Sequence, residues 1–452
     1  MPILEDAMTK LDNHPTVKWW REQTHWQSTP PVPLNADALR SLCLAAGADD
    51  VGFVELEREA IADQRADILK AFSRTKTLIS FACGMNRENI RTPVRSAANL
   101  EFHANYDHVN EVSRRIVKTL DQMGVRAMIP GASFPMEMDQ FPGKVWTVSH
   151  KPVAVAAGLG QMGLHRLVIH PKLGSFISLG TILLDAEVSH YNHPIAYNPC
   201  VDCRLCVSAC PVGAIAADGY FNFSACYTHN YREFMSGFTD WAETISESKS
   251  AQDYRQKVRD SESASMWQSL SFKANYKAAY CMAACPAGED VIGAFLSDRK
   301  AFVQEVVKPL QDKSETIYVV AGSDAETHVA KRFPRKTVKR VSSGIRSQSI
   351  QGFLFGLPLL FQRQQSKGLN AVYHFTFTGS ESRRATVIIQ AQTLQVEEGH
   401  LGTADLAITA DSKTWLRFLA KEQNIIWALA RGQIRLSGPP QLLQAFGRCF
   451  PT

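Results

Sequence analysis

The sequence predicts an α+β protein of three folded units. Three observations predict it. Helical and strand patterns alternate over roughly residues 30–195, seven of the ten cysteines crowd between Cys200 and Cys285, and alternating strands with capped helices return from about residue 345. A chain of 452 residues has room for two or three domains, each burying its own core. The boundaries expected are 1–195, 196–300, a basic linker at 301–344, and 345–452.

In the first unit, Leu39, Leu42, Cys43 and Ala46 share one helical face, Gly47 can end that helix, and Val51–Leu56 reads as a strand. Lys76–Cys83 is a second strand, and Asn110–Met123 is an amphipathic helix carrying Val112, Ile116 and Leu120. Further β signals lie at Val153–Ala156 and Ile177–Leu184. In the middle unit Ser236–Ala279 is polar and reads as helical. Residues 330–349, rich in Lys and Arg, read as a solvated linker rather than an anion site. In the last unit Ala371–Thr378 alternates, with Tyr373, Phe375 and Phe377 on one face. Thr386–Val396 and Asp405–Thr409 are further strands, and Asp411 can cap a helix bearing Trp415, Phe418 and Leu419. A second helix, with Ile426, Trp427 and Ala430 on one face, ends at Gly432, and Ile434 and Leu436 belong to a last strand.

Composition narrows the function. Hydrophobic residues make up 45% and charged residues 21%, as in ordinary globular proteins, and a net charge of +5 gives nucleic-acid binding little support. Met1–Gln27 is studded with charge and has no apolar core, so no secretory leader is expected, nor any membrane span. The expected location is a reducing cytoplasm, where clustered cysteines favour metal ligation over disulfides. Cys43, Cys83 and Cys449 stand alone and read as buried core thiols.

The cysteine spacing carries the chemistry. Cys200-x2-Cys203-x2-Cys206-x3-Cys210-Pro211 supplies three thiolates to one iron–sulfur centre from a tight loop and sends the fourth to a neighbouring centre. Four cysteines in so short a run, followed by proline, are not the paired pattern of a zinc site. Cys281-x3-Cys285-Pro286 is a shortened copy. One [4Fe-4S] cluster is therefore expected on Cys200, Cys203, Cys206 and Cys285, and a second, four-iron or three-iron, on Cys210, Cys226 and Cys281. A full copy would have cysteine where Ala278 stands, so the fourth ligand of the second cluster is open among His229, Tyr280 and solvent, with His229 preferred.

Ala157-Gly158-Leu159-Gly160, then Gly163, Leu167, Ile169, Pro171, Gly174 and Ser175, closely followed by the cysteine module, resembles the epoxyqueuosine reductase and reductive dehalogenase family. The resemblance covers roughly residues 30–300. It implies a nitroreductase-like domain that holds cobalamin, with two clusters of a ferredoxin-like module feeding it electrons. It also implies a cofactor-binding set of Ala157, Gly158, Leu159, Gly160, Gly163, His165, His170, Gly174 and Ser175. The glycines themselves can be read two ways: as backbone approach to a large planar ligand, or as a tight turn. The family's proton donor is an acid or a tyrosine. Here Lys144 sits about where the acid would fall, and Tyr106, Asp139 and His150 are the candidate proton donors.

Residues 404–420 and 427–446 resemble the sterol-carrier-protein lipid-binding domain. That family encloses an apolar tunnel. A docking domain with a filled core is the other reading. The expected activity is cobalamin-dependent reduction of a small hydrophobic substrate, dehalogenation or a related cleavage, with a reduced ferredoxin or flavodoxin-type protein as donor. The rival is an electron-carrier and lipid-binding protein without corrinoid.

Overall fold

The computed structural model describes residues 11–22, 33–139, 141 and 144–451. Its first sheet has the order β1-β2-β6-β3, built from β1 (Asp50–Glu55), β2 (Thr77–Gly84), β3 (Ala127–Met128) and β6 (Ile177–Leu184). Between β3 and β6 lies a small hairpin of β4 (Gln161–Met162) and β5 (Val168–Ile169). Every pairing in the four-stranded sheet is antiparallel, which makes the unit α+β rather than α/β.

Successive side chains of β2 point to opposite faces. Ile79, Phe81 and Cys83 pack with Val109, Val112 and Ile116 of the long helix Arg95–Gln122. Leu78 and Ala82 pack with Val153, Ala154 and Ala156. With both faces covered, the strand reads as one continuous apolar run. Val153–Ala156, expected as a strand, instead lies in the helix His150–Ala156. Its valines carried the β signal, but the segment is buried on the sheet as a helix, and packing overrides so weak a propensity.

The segment expected as a solvated linker is folded. Parallel strands β7 (Thr316–Val319) and β8 (Thr337–Arg340) flank the helix Asp324–Arg332. Ile317, Val319, Ala325, Val329 and Phe333 share a core with Cys206, Cys210, Val212 and Ile215. The basic residues that suggested a linker sit in ion pairs, Lys336 with Glu315 at 2.6 Å and Lys339 with Glu262 at 2.9 Å. Ser236–Ala279 contains three helices, Met235–Glu247, Ala251–Lys257 and Asp260–Phe272.

The C-terminal sheet has the order β11-β10-β9-β12-β13. Its strands are β9 (Ala371–Thr378), β10 (Arg383–Gln390), β11 (Thr393–Glu398), β12 (Leu406–Asp411) and β13 (Ile434–Ser437). Only β9 and β12 are parallel. Thr386–Val396, expected as one strand, is a hairpin turning at Ala391 and Gln392, both with positive φ (49° and 61°). That geometry normally calls for Asn or Gly, so the turn carried no signal. Asp411 caps its helix as expected, accepting from the Thr414 N–H at 3.0 Å. The face bearing Ile426 and Trp427 points outward, 70% and 64% exposed, while Ala428 of the same helix is buried. Cys43, Cys83 and Cys449 are fully buried, as expected of core thiols. Among the described residues no helix is long and apolar enough to cross a membrane.

Candidate functional site

The loop carrying the first cysteine motif is bent by two left-handed residues, Asp202 (φ 52°) and Arg204 (φ 53°). Cys200, Cys203 and Cys206 thereby line one recess together with Cys285. Leu164, His165 and Ile169 share its wall. Cys210, Cys226 and Cys281 form a second group. Burial, then the neighbouring Cys210, pushes Cys226 up to about 12. Burial, then Cys226 and Cys210, pushes Cys281 up as well. In the first group burial and the surrounding thiols push Cys206 up to about 12 and Cys285 up to about 11.

Thiols shifted this way stay neutral unless a positive centre compensates them, and a bound metal does so by deprotonating its ligand thiols. The donor set of each group therefore fits iron. Among the described residues no three His, Cys, Asp or Glu side chains are already drawn into a metal-site arrangement. The thiols form two groups, the first lining one recess, without standing at ligand distances.

The residues expected to cradle a corrinoid do not fit that role at their present positions. A Cβ on Gly158 would lie 2.6 Å from the His193 carbonyl oxygen, on Gly160 2.3 Å from that of Ile169, and on Gly174 2.1 Å from that of Ala287. The space beside each glycine is thus filled by this chain, which supports the tight-turn reading. Ala157 and Leu159 are buried in the core of the first sheet. His170 donates from Nε2 to Asp50 at 2.9 Å and accepts from the Lys172 and Leu173 N–H groups. The second half of the segment faces the first cysteine group instead. The Leu164 N–H donates to Cys200 Sγ at 3.4 Å, and the Ser175 hydroxyl donates to the Met282 carbonyl at 3.4 Å, three residues before Cys285.

The three candidate proton donors part company. Asp139 is exposed. His150 is buried between Thr181 Oγ1 (2.8 Å) and the Gly131 carbonyl (3.0 Å) and holds β6 to the loop after β3. Tyr106 lies beside Tyr276, and Tyr276 beside Ser133. Tyr231 lies beside them, its ring 5.6 Å from that of Tyr276, and Phe234 packs on both. Burial raises all three tyrosines above their ordinary range, yet each keeps some accessible surface. Cys226 and Cys281 of the second group act on Tyr231. Lys151 adjoins the same two thiols. Its ammonium donates to the Arg166 carbonyl at 2.8 Å. Lys144 is paired with Asp67 at 2.5 Å.

Sequence reasoning missed Tyr231, Tyr276 and Lys151. The two tyrosines belong to the polar stretch on either side of the three central helices, and no spacing rule links them to Tyr106.

The C-terminal unit is docked on the helix that carries Cys226. Tyr227 belongs to its core, the Tyr220 hydroxyl donates to the Phe361 carbonyl at 2.9 Å, and Asn222 donates to Gln362 at 3.2 Å.

Residues 360–451 match the SCP-2 sterol transfer family. The epoxyqueuosine reductase of Aliivibrio fischeri is 25% identical over 150 residues, 33% of this chain and 36% of that protein. The epoxyqueuosine reductase of Cellulophaga algicola is 23% identical over 241 residues, 46% of this chain and 74% of that protein. The solved epoxyqueuosine reductase of Streptococcus thermophilus is 17% identical, with a TM-score of 0.30 over 42% of this chain and 56% of that one. The chain thus resembles epoxyqueuosine reductases over part of its length and carries a C-terminal domain like the SCP-2 family, and it spans little more than a third of the Aliivibrio protein it matches.

Proposed function

We propose that this chain is an iron–sulfur reductase acting on a small hydrophobic substrate in a recess that Tyr106, Tyr231 and Tyr276 would line. The observation that carries the reading is the nearness of Tyr231 and Lys151 to Cys226 and Cys281 of the second cysteine group. Cys200, Cys203, Cys206 and Cys285 would hold one cluster and Cys210, Cys226 and Cys281 the other. Such clusters supply one electron at a time, at potentials set by hydrogen bonds and burial. The tyrosines do the rest. Aromatic walls select an apolar substrate and exclude water. Burial keeps Tyr106 protonated, and Tyr276, itself beside Ser133, holds the phenol in place, so that Tyr106 Oη can deliver a proton to the product. The Lys151 ammonium beside the thiols favours negative charge at the reducing end of the recess.

The family resemblance also supports a corrinoid as the final electron carrier, although Gly158, Gly160 and Gly174 each sit against a carbonyl of this chain. In the C-terminal domain Phe353, Tyr373, Phe375, Phe377, Trp415 and Phe446 fill the space over the sheet. This supports a docking role, buttressing the helix of Cys226, over a lipid tunnel.

The test is anaerobic purification with hydroxocobalamin supplied, followed by analysis of iron, sulfide and cobalt. Roughly seven to eight iron per chain is expected from two clusters. A folded protein without iron overturns the reading. Cobalt near one per chain would add a corrinoid to it, held outside the glycine segment.

A further inference from the structure

We propose that His165 is a hydrogen-bond donor to the first cluster and sets its potential, with Gly163 shaping the place of its ring. The inference rests on the iron–sulfur reading above and adds to it a residue that acts on the cluster without ligating it.

Four observations converge. His165 is only 4% exposed and lines the recess of Cys200, Cys203, Cys206 and Cys285. Its Nδ1 accepts the Leu167 N–H at 3.2 Å, which places the ring proton on Nε2. That Nε2 is buried with no protein partner. An orphaned buried N–H is costly, and a native structure keeps one where something else accepts it. Finally, a Cβ on Gly163 would lie 2.9 Å from His165 Cε1, so the absent side chain at that position is what admits the imidazole.

The acceptors in reach of such a recess are sulfurs. The neighbouring Leu164 N–H already donates to Cys200 Sγ. Sulfur of this cysteine group is thus already an acceptor for the residue next to His165. The tautomer also decides the role. With Nδ1 occupied as an acceptor, Nε2 carries the proton and has no lone pair for iron, so His165 donates and does not ligate. Donation to cluster sulfur favours the reduced state, which carries one more negative charge, and raises the potential.

The test uses the full chain, reconstituted anaerobically with iron and sulfide. Electron paramagnetic resonance would follow a redox titration of wild type, His165→Leu and His165→Gln. Loss of the donor in His165→Leu is expected to lower the potential of one cluster and leave the other in place. The cluster that moves should be the one whose signal Cys203→Ser alters. His165→Gln retains an N–H and should recover part of the fall, which a merely structural role would not produce. Unchanged potentials in fully loaded His165→Leu would overturn the inference while leaving the clusters standing. Absence of iron and sulfide from wild type would overturn the cluster reading and this inference with it.

Discussion

The backbone N–H of Tyr318 donates to His229 Nδ1 at 3.3 Å, and the two rings stack with centroids 6.2 Å apart. This bond decides a question of ligation. With Nδ1 accepting, the proton sits on Nε2, so His229 presents N–H rather than a lone pair. Tyr280, the other side chain considered, donates its hydroxyl to Glu315 at 2.7 Å. The Tyr280 hydroxyl is thus engaged, and His229 Nε2, buried without a protein partner, carries a proton where a ligand would need a lone pair. Burial and the nearby Lys277, Lys336 and Lys313 hold His229 down at about 3, so it is neutral at any ordinary pH. We predict that His229→Ala leaves the number and shape of the reduced cluster signals unchanged, measured by electron paramagnetic resonance. A change confined to one signal would restore His229 as a ligand.

Tyr106→Phe removes the phenol that Tyr276 supports. On any substrate the wild type reduces with dithionite as donor, the rate should fall by about 10²-fold or more, the usual contribution of a placed proton donor. Iron content should not change. His150→Gln should lower stability by about 1–2 kcal/mol through its two lost bonds and leave the chemistry in place. Comparable losses of rate in both variants would remove Tyr106 from its special place.

Gly158→Ala and Gly160→Ala test the glycine segment. Both positions have positive φ (74° and 157°), and both would drive a Cβ into a carbonyl of this chain. Each should lower the melting temperature in protein that has never met a corrinoid. A variant with unchanged melting but lost cobalamin binding would return these residues to the cofactor.

Gln362 is fully buried and accepts from Asn222 Nδ2 (3.2 Å) and from the Asp324 N–H (3.0 Å). Gln362→Leu strands both donors at the seam between the C-terminal unit and the helix of Cys226, at a cost of about 1–3 kcal/mol each. Denaturant unfolding should show the loss. Iron of the second group should be released before that of the first. Simultaneous release would show that the seam does not support that group.

Asp50 gives a pH dependence with a definite sign. Burial opposes its ionisation, but bonds from His170, the Val51 N–H and Arg40 outweigh it, so its carboxyl titrates below the ordinary 3.8. A carboxyl depressed by folding adds stability above its unfolded value, and that stability disappears as pH falls through the folded one. Asp50→Asn should therefore be less stable than wild type at pH 6, and the gap should close below 3.8. Unfolding of metal-free protein by denaturant across that range measures it. A gap that persists in acid would assign the loss to packing.

The sequence by itself determined the elements with strong periodicity and the metal chemistry expected of the cysteines. β2, β6 and β9, the helix from Ala36 to Ala45 and the Asp411 cap follow from patterns local to a few residues, as do the two cysteine motifs. Tertiary structure alone decided the rest. It made Val153–Ala156 a helix because the sheet offered that face, and it folded residues 316–340 because their apolar residues meet the cysteine loop. It set Gly158, Gly160 and Gly174 close against carbonyls of distant parts of the chain. It brought Tyr276 and Tyr231 to Tyr106, more than a hundred residues away in the chain, and fixed the tautomers of His165 and His229 through single backbone N–H groups. Local pattern records which residues can turn, alternate or ligate. Where a proton sits, and which atom fills the space beside a glycine, depends on partners distant in sequence, and only packing supplies those.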